Sequence, residues 1–126
     1  MTRTLLLLVL LCVLAGCGGG GSTRLYTLQK TKSCLSAQKI RIARPADFVA
    51  TTATGGAFRA LFPDNSVTVV FGLTQADADN IADAYRRFRA KNVGIDDVLR
   101  VDHNAVMLWH LHPADADAAQ VGSCLT

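Results

Sequence analysis

The chain contains two pairs of short apolar runs, and each pair flanks a turn and is followed by a helical pattern. This arrangement limits the chain to a fold that combines strands and helices. The first pair flanks Pro63-Asp64-Asn65, a turn sequence that predicts a β-hairpin. The second pair flanks His103-Asn104 in the same way. The predicted strands are residues 57–62, 66–71, 98–102 and 105–110. We therefore expect two antiparallel hairpins.

The helical pattern after the first hairpin is the strongest in the chain. It runs from Thr74 to Lys91. Threonine is a favourable residue at the N-cap of a helix, so Thr74 can cap this one. Aspartates near its start and arginines near its end complement the helix dipole, and Asp83 is expected to pair with Arg87. Helical spacing also predicts a buried stripe of apolar side chains, namely Ala78, Ile81, Tyr85 and Phe88.

The segment before the first hairpin predicts shorter elements. Residues 31–38 are typical of a short helix, and residues 39–43, which alternate in polarity, are typical of a strand. Pro45 then fits the first turn of a helix that ends at Gly55-Gly56. The alternative is that Gly55-Gly56 forms a hairpin turn between two strands. Near the other end of the chain, Pro113 opens a last helix.

The two units of hairpin and helix resemble each other in sequence. Residues 64–71 align with residues 102–109, and residues 76–79 align with residues 114–117 at the same offset. Either this is an internal ββα repeat, or the alanine-rich composition produces it by chance. The fold class that follows is α+β. Two hairpins and one further strand form a small antiparallel sheet packed against helices, which we expect on one face.

The N-terminal segment carries the most specific motif in the chain. Arg3 precedes an apolar run that begins at Leu5 and ends in Leu14-Ala15-Gly16-Cys17, directly before a run of glycines. An apolar run of about 11 residues is too short for a membrane-spanning helix, which needs roughly 20. The segment resembles the signal peptide and lipobox of bacterial lipoproteins. This resemblance implies that Cys17 carries a diacylglycerol and becomes the first mature residue.

The resemblance divides the chain into a signal peptide over residues 1–16, the lipidated Cys17 with a flexible tether over residues 17–32, and a single α+β domain over residues 33–126. It implies a location outside the cytoplasmic membrane, and in a Gram-negative host Gly18 resembles a signal for the outer membrane. The alternatives are an uncleaved N-terminal anchor and a cytosolic protein. The domain itself is similar to small actinobacterial lipoproteins through Cys34-Leu35, Tyr85-Arg86-Arg87-Phe88 and Cys124-Leu125, a similarity that implies no activity.

Two cysteines of the chain, Cys34 and Cys124, lie within the expected domain. An exported protein resides in an oxidising compartment, where an even pair of cysteines favours a disulfide. We therefore expect a bond between them. The alternative is two separate thiols.

Charge is distributed unevenly along the expected mature chain. Residues 24–59 contain seven basic side chains and one acid, Asp47, whereas residues 61–126 contain nine aspartates and five basic side chains. Because the basic half adjoins the expected lipid, it can face an anionic membrane surface; the alternative is an ordinary solvated surface. The basic residues lack interleaved aromatic residues, so nucleic acid is not expected as a partner.

Three residues at the end of the second hairpin are candidates for ligand binding. On a strand, His110 and His112 share a face, and with a third ligand such as Asp115 or Asp117 they can bind zinc or copper. The alternative is that both histidines lie at the surface, at a strand end and a helix start. Trp109, the lone tryptophan, is either a core residue or a partly exposed aromatic of a binding groove.

No pattern in the sequence indicates catalysis. The chain has no glutamate and no Gly-x-Ser-x-Gly, and its Asp-x-Asp pairs open predicted helices, where the dipole favours acids. We expect no enzymatic activity and no cofactor beyond the diacylglycerol on Cys17. The leading hypothesis is a non-enzymatic module, held at the membrane by its lipid, that binds an envelope protein or a cell-wall component. The alternatives are a metal- or small-ligand-binding lipoprotein that uses His110 and His112, and a small hydrolase.

Overall fold

The structure is a computed structural model that describes residues 24–89 and 94–126. The elements in chain order are α1 (Leu28–Ala37), β1 (Arg41–Ala43), α2 (Phe48–Thr52), β2 (Ala57–Leu61), β3 (Ser66–Phe71), α3 (Gln75–Phe88), α4 (Ile95–Val98), β4 (Leu99–Asp102), β5 (Ala105–Trp109) and α5 (Asp115–Cys124). The strands form one antiparallel sheet in the order β1-β2-β3-β5-β4. The predicted α+β class is confirmed, with hairpins β2–β3 and β4–β5 and β1 as the further strand.

Side-chain caps start the helices next to the first hairpin. The Asp47 carboxylate begins α2 by accepting the N–H of Ala50 at 2.8 Å. The segment therefore contains a helix, and the alternative strand does not form, but Pro45 lies before the Asp47 cap rather than in the first turn, and the helix ends at Thr52. The Thr74 hydroxyl begins α3 by accepting the N–H of Asp77 at 3.1 Å, as the sequence predicts.

Helices cover both faces of the sheet, so the expectation of helices on one face is wrong. The first core lies between the sheet and helices α1 and α5, and it comprises Leu35, Phe58, Ala60, Phe62, Val67, Val69, Phe71, Ala105, Met107, Trp109, Val121, Cys124 and Leu125. The second core lies between the opposite face and helices α2, α3 and α4, and it comprises Ala50, Val70, Ala78, Ala82, Tyr85, Ile95, Leu99 and Val106. The physical reason is that central strands β3 and β5 are apolar on both sides and need cover on both.

The sequence similarity between the two halves extends to the strands but not to the helices. Strands β3 and β5 are neighbours, and Val69 lies opposite Met107, the residue aligned with it. The helices that follow these strands pack on opposite faces, α3 in the second core and α5 in the first. The resemblance therefore describes a pair of strands rather than a repeated ββα unit.

The N-terminal segment of the described chain is bonded to the tip of the β4–β5 hairpin. The Asn104 amide accepts the N–H of Tyr26 at 2.6 Å and donates to the carbonyls of Tyr26 and Gly72. Residues 28–32, which the sequence assigned to the tether, form the first half of α1, where Thr31 is buried. The predicted signal peptide, Cys17 and the start of the tether lie outside the described residues.

A disulfide joins the first helix to the last. Cys34 on α1 and Cys124 on α5 are bonded, with their Cα atoms 5.5 Å apart, as the sequence predicts. The Gln38 amide donates to the Cys124 Sγ at 3.2 Å. Cys124 belongs to the first core, so the bond fixes both helices of that face to each other.

Helix α3 ends at Phe88, before the predicted Lys91, and differs from its predicted pattern at two further points. Asp83 pairs with Arg86 at 3.1 Å instead of Arg87, and Arg86 also reaches Asp96 at 3.3 Å. Phe88, predicted to be buried, is 69% exposed. Within the described ranges, no helix combines the length and the apolar character needed to cross a lipid bilayer.

Candidate functional site

A groove of about 830 Å³ opens between α2, the C-terminal end of α3 and the sheet. Thr68 on β3 and Leu108 on β5 line its floor, and Ile95 and Val98 of α4 border it. Small-molecule sites commonly measure 300–1,000 Å³ and are mostly apolar. The size and the lining of this groove therefore fit a small ligand.

The groove exists because the helices cover only part of this face of the sheet. Strand pairing places Arg59 opposite Thr68 and Thr68 opposite Leu108, so the three side chains form one row. The adjacent row contains Val70 and Val106, which the helices bury completely. Helix α2 is a single short turn and α3 ends at Phe88, so the row that contains Arg59 is left open at the groove.

Two exposed phenylalanines form one wall of the groove. Phe48 on α2 is 77% exposed and Phe88 on α3 is 69% exposed. Both also line a second, smaller cavity of about 300 Å³ between α2 and α3, so they form a ridge between the two depressions. Large aromatic side chains left together at a surface indicate an interaction site. The predicted burial of Phe88 is wrong because α3 extends beyond the elements that would cover it.

The groove is positively charged. Arg59 and Arg89 line it, and neither forms a salt bridge within the described part of the chain. Of the described residues that line the groove, Asp47 is the one acid. Its carboxylate is engaged, since it accepts the N–H of Ala50 and the hydroxyl of Tyr85 at 2.9 Å. The groove therefore has two guanidinium groups that form no ion pair among the described residues, and one carboxylate that is bonded within the fold through one of its oxygens.

The bond between Tyr85 and Asp47 holds α2 against α3. Burial is the main reason that the pKa of Tyr85 lies well above its usual 10.0, and the hydrogen bond to Asp47 raises it further. Tyr85 is 6% exposed. This phenol therefore stays protonated and acts as a hydrogen-bond donor at the base of the groove wall.

The two candidate metal ligands do not lie together on a strand. Strand β5 ends at Trp109, so the expectation that His110 and His112 share a strand face fails. His110 lines the groove. The His112 Nδ1 lies 2.7 Å from a carboxylate oxygen of Asp97. Among the described residues, no group of three or more histidines, cysteines or acids is placed to hold a metal ion.

Trp109 lies in the first core. Its side chain is 2% exposed, and its ring lies 5.6 Å from that of Phe62. Although the groove borders Trp109, the indole packs on the opposite face of the sheet from Leu108. The structure therefore places this residue where its ring supports the fold.

Sequence reasoning did not find a polar cluster at the tip of the β4–β5 hairpin. The Tyr26 hydroxyl donates to Asp102 at 3.2 Å and lies 3.0 Å from the His103 Nδ1, which lies 2.6 Å from Asp102. In a catalytic triad the acid and the nucleophile bind different nitrogens of the histidine. Here both approach Nδ1, and burial and Asp102 raise the pKa of Tyr26. The cluster therefore lacks the geometry of a proton relay.

The residues that build the groove carry no strong signal in the sequence. Arg59 lies in a short strand and Phe48 in a helix of five residues, and neither has a motif around it. Of the candidate site residues, His110 and Trp109 border the groove. Comparison of the chain with protein-family models, with curated proteins and with solved structures gives no match.

Proposed function

We propose that this protein is a non-enzymatic binding module, anchored by a lipid on Cys17 outside the cytoplasmic membrane, and that its ligand occupies the groove between α2, α3 and the sheet. The observation that carries the proposal is the pair of exposed side chains Phe48 and Phe88 beside Arg59, which forms no salt bridge with any described residue. A ligand that covers both rings removes apolar surface from water, which is favourable by roughly 25 cal/mol per Å².

The disulfide supports the location. Disulfides persist outside the cytoplasm and are rare inside it, and the bond between Cys34 and Cys124 agrees with export. The lipobox at residues 14–17 gives the means of attachment. Anchoring confines the module to a surface, which raises the local concentration of a ligand or partner in the same envelope without stronger contacts.

The groove is tested by photo-crosslinking in cells that export the full chain. We expect a benzoylphenylalanine residue in place of Phe48 or Phe88 to form adducts of discrete mass on illumination. The matched control replaces Leu73, which is 59% exposed but lines neither cavity, and should give none. Equal adducts at all three positions, or none at any, would remove the case for a binding groove.

The anchor is tested by the intact mass of the protein extracted from membranes. We expect the mature chain to lack residues 1–16 and to carry a diacylglycerol on Cys17, and we expect Cys17→Ala to abolish lipidation. A native product that retains Met1 and has no attached lipid contradicts this part of the proposal.

A further inference from the structure

Resting on the proposed function, we infer that the groove binds a long-chain carboxylate, a free fatty acid, with its acyl chain against Phe48 and Phe88 and its carboxylate at Arg59. Three features of the groove favour this ligand: its apolar wall, its floor of strands that are paired on both sides, and its two arginines, which form no salt bridge among the described residues.

The lining favours a hydrocarbon chain. Phe48 and Phe88 form the wall, Val98 and Leu108 continue the apolar lining, and Thr68 is a polar side chain at the floor. A sugar or another highly hydroxylated ligand requires several convergent polar groups to replace its bound water. The rings of Phe48 and Phe88 offer such a ligand no hydrogen-bond donor or acceptor, whereas they give a hydrocarbon chain an apolar surface to cover.

The sheet beneath the groove offers no backbone to a peptide. Peptides that bind sheets pair with the free edge of an outer strand. The floor is formed by β2, β3 and β5, and each of these strands is paired on both sides. An extended peptide would therefore lie on side chains alone, and its own N–H and C=O groups would lose their water without compensation.

The charges favour an anionic end group. Arg59 is half-buried in the floor row, and its guanidinium matches a carboxylate through two parallel N–H bonds. Arg89 lines the same groove and adds a second guanidinium. Arg41, opposite Leu61 on the neighbouring strand, adds a further positive charge to this face of the sheet. Among the described residues that line the groove, two arginines stand against one acid, Asp47, so the charges on balance complement a carboxylate at one end of an apolar trough.

The experiment uses the full chain in nanodiscs of a zwitterionic lipid. A palmitic acid with a diazirine in its chain is added, the sample is illuminated, and labelled peptides are mapped by mass spectrometry. We expect labels on the segments that contain Phe48 and Phe88. The alcohol with the same chain and diazirine lacks the carboxylate, and we expect it to label on the order of tenfold less, as is typical for the loss of a charged hydrogen-bond pair.

Two variants test the assigned contacts. Arg59→Gln should reduce labelling by the acid on the order of tenfold and leave labelling by the alcohol unchanged. Arg87→Gln, on α3 but outside the groove, is matched in charge and should have no effect. Because Arg59 is half-buried, a second variant at an exposed site guards against misfolding: Phe48→Asp should also reduce labelling by the acid, whereas Leu73→Asp should not.

The possible outcomes separate this inference from the proposed function. Equal labelling by acid and alcohol, labels outside the groove, or full labelling of Arg59→Gln overturns the fatty-acid assignment. Stronger labelling by a matched lysophosphatidic acid also overturns it, in favour of a phosphate headgroup. If benzoylphenylalanine in place of Phe88 crosslinks in cells to a ligand of another class, the binding function stands and the fatty-acid assignment fails.

Discussion

Asn104 joins three parts of the molecule through a single side chain. It is 2% exposed. Its amide oxygen accepts the N–H of Tyr26, and its amide nitrogen donates to the carbonyls of Tyr26 and Gly72. The preceding residue, His103, has a positive φ of 49° that turns the β4–β5 hairpin, so the amide points back towards the sheet and the N-terminal segment. Both polar atoms of the amide therefore have partners, as buried polar groups in folded proteins do.

We expect Asn104→Ala to lower the free energy of unfolding by about 2–3 kcal/mol, because it leaves buried backbone groups without partners. Urea unfolding followed by tryptophan fluorescence measures the change. Asn80→Ala, at an exposed position of α3, is the matched control and should stay within about 0.5 kcal/mol of the wild type. A loss at Asn104 no larger than at Asn80 would contradict the assigned role.

Tyr85 should make the stability of the protein depend on pH above its usual pKa of 10.0. The unfolded chain releases the phenolic proton near pH 10, whereas the folded chain retains it because burial raises the pKa. The stabilising contribution is therefore complete below pH 10. Above that pH, the free energy of unfolding should fall by about 1.4 kcal/mol per pH unit for this group.

The measurement is urea unfolding at several pH values between 9 and 11.5. The free energy of unfolding of Tyr85→Phe should decline less steeply with pH than that of the wild type. Tyr26→Phe should retain the part of the decline that Tyr85 causes. Identical slopes for the wild type and Tyr85→Phe would show that the phenol is not held protonated by the fold.

At the level of elements, local patterns in the sequence were sufficient to predict the two hairpins and the start of α3. Turn residues and helix caps act over a few residues, so their effect can be recognised in the sequence itself. The end of the helical stripe was not predictable in this way. Tyr85 and Phe88 both fit the period, but Tyr85 is buried and bonded to Asp47, the cap of α2, whereas Phe88 lies beside α2 at the surface. The groove could not be predicted from the sequence for the same reason. Arg59 and Phe48 line one groove only because of the order of the strands and the position of α2.

This difference between two residues of one helix is measurable. We expect Tyr85→Ala to cost about 3–5 kcal/mol, since it empties part of the second core. Phe88→Ala should change the free energy of unfolding by about 0.5 kcal/mol or less, because its ring is exposed. Thermal or urea unfolding of the two variants provides the comparison. If Phe88→Ala is as destabilising as Tyr85→Ala, the ring is buried and the wall of the groove does not exist as described.

At the level of the whole molecule, the disulfide connects the two helices of the first face and encloses all five strands. Cys34 and Cys124 are separated by 90 residues. Closing so long a loop restricts the unfolded chain and stabilises the fold by about 4–5 kcal/mol in the chain-entropy treatment.

We therefore expect the double variant Cys34→Ser, Cys124→Ser to lose about 4–5 kcal/mol of stability. Denaturant unfolding with and without a reducing agent measures it. The wild type should become less stable in the reductant, and the variant should not respond. Equal stability of the oxidised wild type and the variant would contradict this account.

The same covalent ring determines how the domain responds to force. A pull between residues 24 and 126 passes along residues 24–34, through the sulfur atoms and along residues 124–126, so the enclosed sheet carries no load. The fully extended path between residues 24 and 126 is about 45 Å long in the oxidised chain, against about 350 Å in the reduced chain. A protein fastened to a surface under shear would thus keep its strands, and the groove above them, intact while residues 24–34 are pulled out of the fold.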